Sequence, residues 1–131
     1  MNKWILIIGA LLGATAVMTG AFGAHALEAV LDERARGWYE TAVTYHAGHA
    51  LALLVTGTLG LHIGTGPGKS AVICAGICLL LGVTIFSGSL YLMAFTGITK
   101  LGMITPIGGV FLILGWLSLA AAASRIRTGV S

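Results

Sequence analysis

Residues 41–54 read TAVTYHAGHALALL, an uncharged apolar run in which His46 and His49 stand about one helical turn apart. Glu40 precedes the run, where a helix dipole favours a carboxylate, and the apolar pattern continues to about His62. On a helix, His46, His49, Leu53, Thr56, Gly57 and Gly60 share one face. Composition then decides the solvent: of 131 residues, 57% are hydrophobic and 8% charged, with a mean hydropathy of +1.00. Soluble domains carry about a quarter charged residues, so this inventory cannot build a polar surface. The expected surroundings are lipid. Ionisable side chains inside a membrane span are rare and face the bundle interior or a cavity, which makes the histidine face the first place to look for function.

The length suits a single domain, and four apolar runs fill it: 4–24, 40–62, 71–95 and 103–123. Each is close to the roughly 20 residues that cross the hydrocarbon core. The first has the outline of a signal peptide, with Lys3 ahead of it and Ala24-His25-Ala26 as a small-x-small site. It is long for the apolar part of one, and it is expected to remain as a span. Between the first two runs, Leu27 to Tyr39 holds three of the four acids. Leu27, Val30, Leu31 and Ala35 fall on one helical face, and Glu28, Asp32, Glu33 and Arg36 fall elsewhere. That pattern predicts a short interfacial helix over 27–37, with Asp32 and Arg36 paired four apart and Trp38 and Tyr39 at the membrane boundary. Residues 63–70, IGTGPGKS, form a loop by their Gly and Pro content. They fail the phosphate-loop pattern, because Ile63 stands where its first glycine is required. Pro106 fits the first turn of the last span.

Small residues form seams along the spans. Gly9, Gly13, Ala16, Gly20 and Gly23 repeat at intervals of 4, 3, 4 and 3 on the first run. Ala75, Gly82 and Ser89 repeat on the third, and Gly108, Gly115 and Ala122 on the fourth. Small residues let helices approach closely, and packing dominates helix association in lipid. Gly9, Gly13, Gly20, Gly23, Gly82, Gly108 and Gly115 are therefore expected packing positions, within one chain or between copies, and the first helix is expected to be the most tightly packed. Cys74 and Cys78 lie one turn apart on one helix, a geometry that rarely closes a disulfide, and read as small packing residues. With four spans, Lys3, Lys69, Arg125 and Arg127 fall on the side of the termini, against Arg34, Arg36 and Lys100 on the other. That difference of one base favours cytoplasmic termini. There is no basic patch with interleaved aromatics, so nucleic acid is not an expected partner; the lipid bilayer is.

The topology gathers the polar groups into one half of the bilayer: His25, Glu28, Glu40, Tyr45, His46, His49, Ser87, Ser89, Tyr91 and Thr105. Several functions fit this asymmetry. The polar groups can simply join helices to one another. His25, His46, His49, Ser87, Ser89 and Tyr91 can line a cavity for a lipid, quinone or similar amphiphile, or a path for a proton. His25 and His49 with Glu28 have the ligand types of a metal site, and His25 with His49 could face each other across a haem. No particular cofactor is indicated. Ser87 and Ser89 sit in FSGSL, which lacks a nucleophile-elbow pattern, and no Asp or Glu lies deep in a span. Enzyme activity is therefore not the expected role.

Four blocks carry a resemblance: GAFGAHAL at 20–27, ETAVTYHAGHALALL at 40–54, FSGSLYLMAFTG at 86–97 and ITPIGGVFLILGW at 104–116. In this order they resemble the domain-of-unknown-function 423 family, which includes vertebrate transmembrane protein 256 and small bacterial inner-membrane proteins. The resemblance implies a four-helix protein of the bacterial inner membrane and implies no activity. His25 and His49 fit the family pattern, whereas His46 stands where that pattern usually has Gln. Together these observations predict an all-α, four-span membrane bundle with an interfacial helix between spans one and two. It is expected to act without catalysis, by self-association as a homo-oligomer or as an accessory in a larger membrane complex. The alternative is a binder or transporter of an amphiphile, metal ion or proton in a histidine-lined cavity.

Overall fold

A computed structural model describes residues 3–126. Four α-helices follow one another: α1 (Lys3–His25), α2 (Glu33–Ile63), α3 (Lys69–Thr96) and α4 (Thr105–Ala123), with a short 3-10 helix, Thr99–Met103, leading into α4. Each helix packs on the next, α1 on α2, α2 on α3 and α3 on α4. Lys3–His25, Lys69–Thr96 and the combined stretch Thr99–Ala123 are long and apolar enough to cross a membrane. The 31-residue α2 is not among these three, because its first turns carry Glu33, Arg34, Arg36 and Glu40 and its middle carries His, Thr and Gly.

The separate interfacial helix expected over 27–37 is not formed. The chain turns through residues 26–31, and α2 begins at Glu33 and runs through Gly37 without a break. The physical reason is the cap: the Asp32 carboxylate accepts the Ala35 N–H at 2.8 Å and closes the first turn of α2. Leu27 and Ala35 are buried with Tyr39 and Ala94, so the charged segment is tied into the bundle. Arg36 reaches back to the Glu28 carbonyl at 2.5 Å, the bond it makes in place of the expected pairing with Asp32. Arg34 lies over the Trp38 ring, 4.9 Å from its centroid.

Glycines end two of the helices. Gly64 and Gly97, at φ 58 and 70, let the chain leave α2 and α3 while their N–H groups still bond Gly60 and Met93 carbonyls. The core runs through Ile5, Leu53, Val72, Leu79, Val83 and Leu112. Along the α3–α4 contact three glycines remove side chains where backbones meet. A Cβ on Gly108 would stand 2.4 Å from the Phe86 nitrogen, and one on Gly82 would stand 2.8 Å from the Leu112 nitrogen. A Cβ on Gly115 would press on Leu79. A Cβ on Gly9 would stand 3.1 Å from the Leu54 nitrogen of α2, a looser contact, and Gly23 lies against the Tyr39 ring. Gly13 and Gly20 differ: a Cβ on Gly13 would meet nothing within 4 Å, and one on Gly20 would touch only Val43, at an ordinary 3.5 Å.

Helix α1 is not the most tightly packed. It buries only Ile5, Gly9 and Ala16, whereas α2 and α3 bury residues along their whole lengths. An outer helix in lipid needs one close seam, and its remaining faces can meet acyl chains. Ile7, Leu11, Val17, Met18 and Phe22 are all exposed on α1. Cys74 and Cys78 are free thiols with their sulfurs 4.0 Å apart. Arg127, counted above among the bases near the termini, lies outside the described residues.

Candidate functional site

The buried polar groups are His46, His49, Thr56, Ser87 and Ser89, and four of the five join one helix to another. His49, only 8% exposed, has its Nδ1 2.7 Å from the Tyr45 carbonyl and its Nε2 3.2 Å from the indole Nε1 of Trp116 on α4. A carbonyl can only accept and an indole N–H can only donate. His49 is therefore the neutral tautomer with its proton on Nδ1, and both ring nitrogens are engaged. Tyr45 stacks beside it, ring centroids 5.8 Å apart.

His46 joins three helices. Its Nδ1 shares a hydrogen bond of 2.9 Å with the Tyr91 hydroxyl on α3, and its Nε2 shares one of 3.1 Å with Thr15 Oγ1 on α1. Tyr91 continues to Thr19 Oγ1 at 3.2 Å, and the Tyr39 hydroxyl donates to the Thr19 carbonyl. Both directions of the chain Thr15–His46–Tyr91–Thr19 leave every member satisfied. In one direction the chain ends with Thr19 donating to the Ala16 carbonyl, and in the other with Thr15 donating to the Leu11 or Leu12 carbonyl. Ser87 donates to the Ala42 carbonyl at 2.9 Å, tying α3 to α2. Ser89 lies 2.6 Å from Thr105 Oγ1, tying α3 to the start of α4. Neither serine is bonded to a histidine.

Thus His46, Tyr91, Ser87 and Ser89 meet as helix joints, His49 forms a separate joint with α4, and His25 stands exposed at the end of α1. Among the described residues no three or more of His, Cys, Asp and Glu are grouped to hold a metal ion. Sequence reading missed Thr15, Thr19 and Trp116. The hydroxyls at 15 and 19 lie four apart in an apolar helix, and an indole N–H away from water needs an acceptor, so both signals were available.

A cavity of about 570 Å³ lies elsewhere, between the end of α1, the 26–32 turn and the start of α2. No histidine lines it. Gly20, Gly23, Ala24, Leu27 and Val43 give it an apolar floor and wall, while Glu28, Arg36, Tyr39, Glu40 and Thr44 supply polar groups. Arg36 is half-buried; one guanidinium nitrogen, Nη2, holds the Glu28 carbonyl, and Nε is shut from solvent with no partner. Gly20 and Ala24 leave room where α1 faces α2, whereas the Tyr39 ring fills the space beside Gly23.

A bundle of apolar helices joined by internal polar contacts defines a small multi-pass membrane protein. The family model described as protein of unknown function, DUF423, matches residues 19–109. The UPF0382 membrane protein SERP0230 of Staphylococcus epidermidis is 47% identical, over 94% of this chain and 97% of its own. The UPF0382 membrane protein YwdK of Bacillus subtilis is 40% identical over 94% and 98%. The UPF0382 inner membrane protein YgdD of Escherichia coli K12 is 36% identical over 99% and 97%. The chain belongs to the DUF423 family of UPF0382 membrane proteins, for which no activity is known. No solved structure matches it significantly.

Proposed function

We propose that this protein is a non-catalytic, four-span protein of the bacterial inner membrane that binds an amphiphile in the cavity between α1 and α2. The observation carrying the proposal is that cavity: about 570 Å³, lined by apolar Gly20, Gly23, Ala24, Leu27 and Val43 and by charged Glu28, Arg36 and Glu40, within the range of small-molecule sites. The histidines favour it indirectly. His46 and His49 are fully engaged in joining helices, so a ligand is better served where polar groups remain free. The name of the Escherichia coli relative supports the inner-membrane location.

Helix α2 supplies the fourth crossing. At 1.5 Å per residue its 31 residues span roughly 46 Å, against a hydrocarbon core of about 30 Å. It packs between α1 and α3, both apolar enough to cross, and so shares their depth. The excess length projects the Glu33–Glu40 turns into the interface beside the cavity. Self-association through the glycine seams has less to work with, since Gly9, Gly23, Gly82, Gly108 and Gly115 already serve contacts within the chain. Gly13 is the open position and would be the centre of any contact between copies.

The test fills the cavity from its floor. Gly20 has room for side-chain atoms on its cavity side, so Gly20→Phe is expected to leave the bundle folded and to abolish retention of co-purifying lipid, read by native mass spectrometry from mild detergent. Equal lipid retention by the folded variant would overturn the proposal.

A further inference from the structure

We propose that the α1–α2 cavity recognises a phosphate ester bearing a primary ammonium group, the headgroup chemistry of an aminophospholipid, with Arg36 on the phosphate and Glu28 and Glu40 on the ammonium. This rests on the cavity being an amphiphile site. Three observations carry the choice of headgroup.

The first is the guanidinium. Arg36 offers five N–H donors in a planar fork. Nη2 is on the Glu28 carbonyl, and Nε is buried without an acceptor. Nε is closed to the cavity as it is to solvent, so the donors Arg36 can offer a ligand as a lining residue are its remaining Nη N–H groups, and a phosphate oxygen is the acceptor that suits them best. The second is the balance of charge. Arg36 shares the cavity with two carboxylates, Glu28 and Glu40, both exposed at its mouth. A purely anionic head would satisfy the arginine and be repelled by both acids. A zwitterion places its phosphate on the cation and its ammonium, with three N–H donors, between the acids. A quaternary ammonium has no N–H to donate. The third is depth. Gly20, the deepest floor residue on α1, lies five residues below His25, roughly 7.5 Å along the axis. A headgroup at the mouth would therefore have its acyl chains leaving along the apolar floor toward the hydrocarbon, with Trp38 and Tyr39 beside it at the boundary.

The experiment is native mass spectrometry of the full chain in mild detergent, titrated with phosphatidylethanolamine, phosphatidylglycerol and phosphatidylcholine of identical acyl chains. The ethanolamine lipid is expected to be retained about tenfold better than either of the others, the factor that one charge-assisted hydrogen bond supplies. Arg36 also braces the 26–32 turn, so the decisive variant leaves it in place. The double variant Glu28→Gln, Glu40→Gln changes only two exposed carboxylates, and it is expected to keep binding lipid while losing the preference. Equal retention of the three lipids, or a preference that survives in the double variant, would overturn the headgroup assignment and leave the amphiphile site standing. No retention of any lipid would overturn both. Glycerophosphoethanolamine separates the two sources of this chemistry: it is expected to displace the lipid only at large excess, and binding as tight as the lipid's would overturn the lipid as ligand.

Discussion

Both ring nitrogens of His49 are fixed by groups that have no choice of role, a carbonyl at 2.7 Å and an indole N–H at 3.2 Å. The side chain is a connector with a defined tautomer, and its remaining lone pair is occupied by Trp116. His46 is a connector of a different kind, because its partners are hydroxyls that can donate or accept. What position 46 requires is one donor and one acceptor on a planar group, which a Gln amide also supplies. His46→Gln is therefore expected to keep the unfolding midpoint in detergent within a degree or two of the parent. His46→Leu is expected to destabilise by roughly 1 kcal/mol, since interhelical hydrogen bonds in membranes average about 0.6 kcal/mol and two are lost. A leucine variant as stable as the parent would remove the connector role.

At the scale of the helix, contact is set by where side chains are missing. Gly108 and Gly82 let α3 and α4 touch backbone to backbone, and neither neighbour can yield. Gly108→Ala is expected to cost on the order of 1–3 kcal/mol through overpacking, measured by thermal unfolding in detergent. Gly13→Ala is expected to be neutral or to gain up to about 1 kcal/mol, because alanine favours helix and nothing stands in its way. Loss of stability at both positions would mean that Gly13 has a contact outside the chain, and crosslinking of the parent would then report an oligomer. At the head of α2, the Asp32 side chain closes the first turn and positions Arg36 four residues on. Asp32→Ala is expected to cost about 1 kcal/mol and to weaken lipid retention at the cavity with it. Unchanged stability and unchanged retention in that variant would detach the cap from the site.

For the molecule as a whole, α2 and α3 form the centre, and α1 and α4 lie outside with broad apolar faces, from Ile7 to Phe22 and from Ile107 to Leu117. With α2 as the proposed fourth crossing, the chain would return to the side on which it began. The balance of Lys3, Lys69, Arg125 and Arg127 against Arg34, Arg36 and Lys100 favours the cytoplasm for that side. A green fluorescent protein fused to the C-terminus is accordingly expected to fluoresce, and an alkaline phosphatase fused there to be inactive. The reverse pair of results would invert the orientation and place the cavity mouth on the cytoplasmic face.

The helical, lipid-embedded character of this protein was legible in its sequence because hydropathy is a property of composition, and 57% hydrophobic against 8% charged residues leaves no other solvent. Other features depended on distances between helices, which no periodicity encodes. The charged segment 27–37 reads in sequence as a separate amphipathic helix, and the Asp32 cap together with burial of Leu27 and Ala35 makes its second part the head of α2 instead. Glycines at identical spacing divide into close contacts and open positions only when a neighbouring backbone is present. The histidines mark polar faces in the sequence, but their engagement with Thr15, Tyr91 and Trp116 is a tertiary fact. So is the cavity at the end of α1, lined by small residues of that helix and by Arg36 on the next.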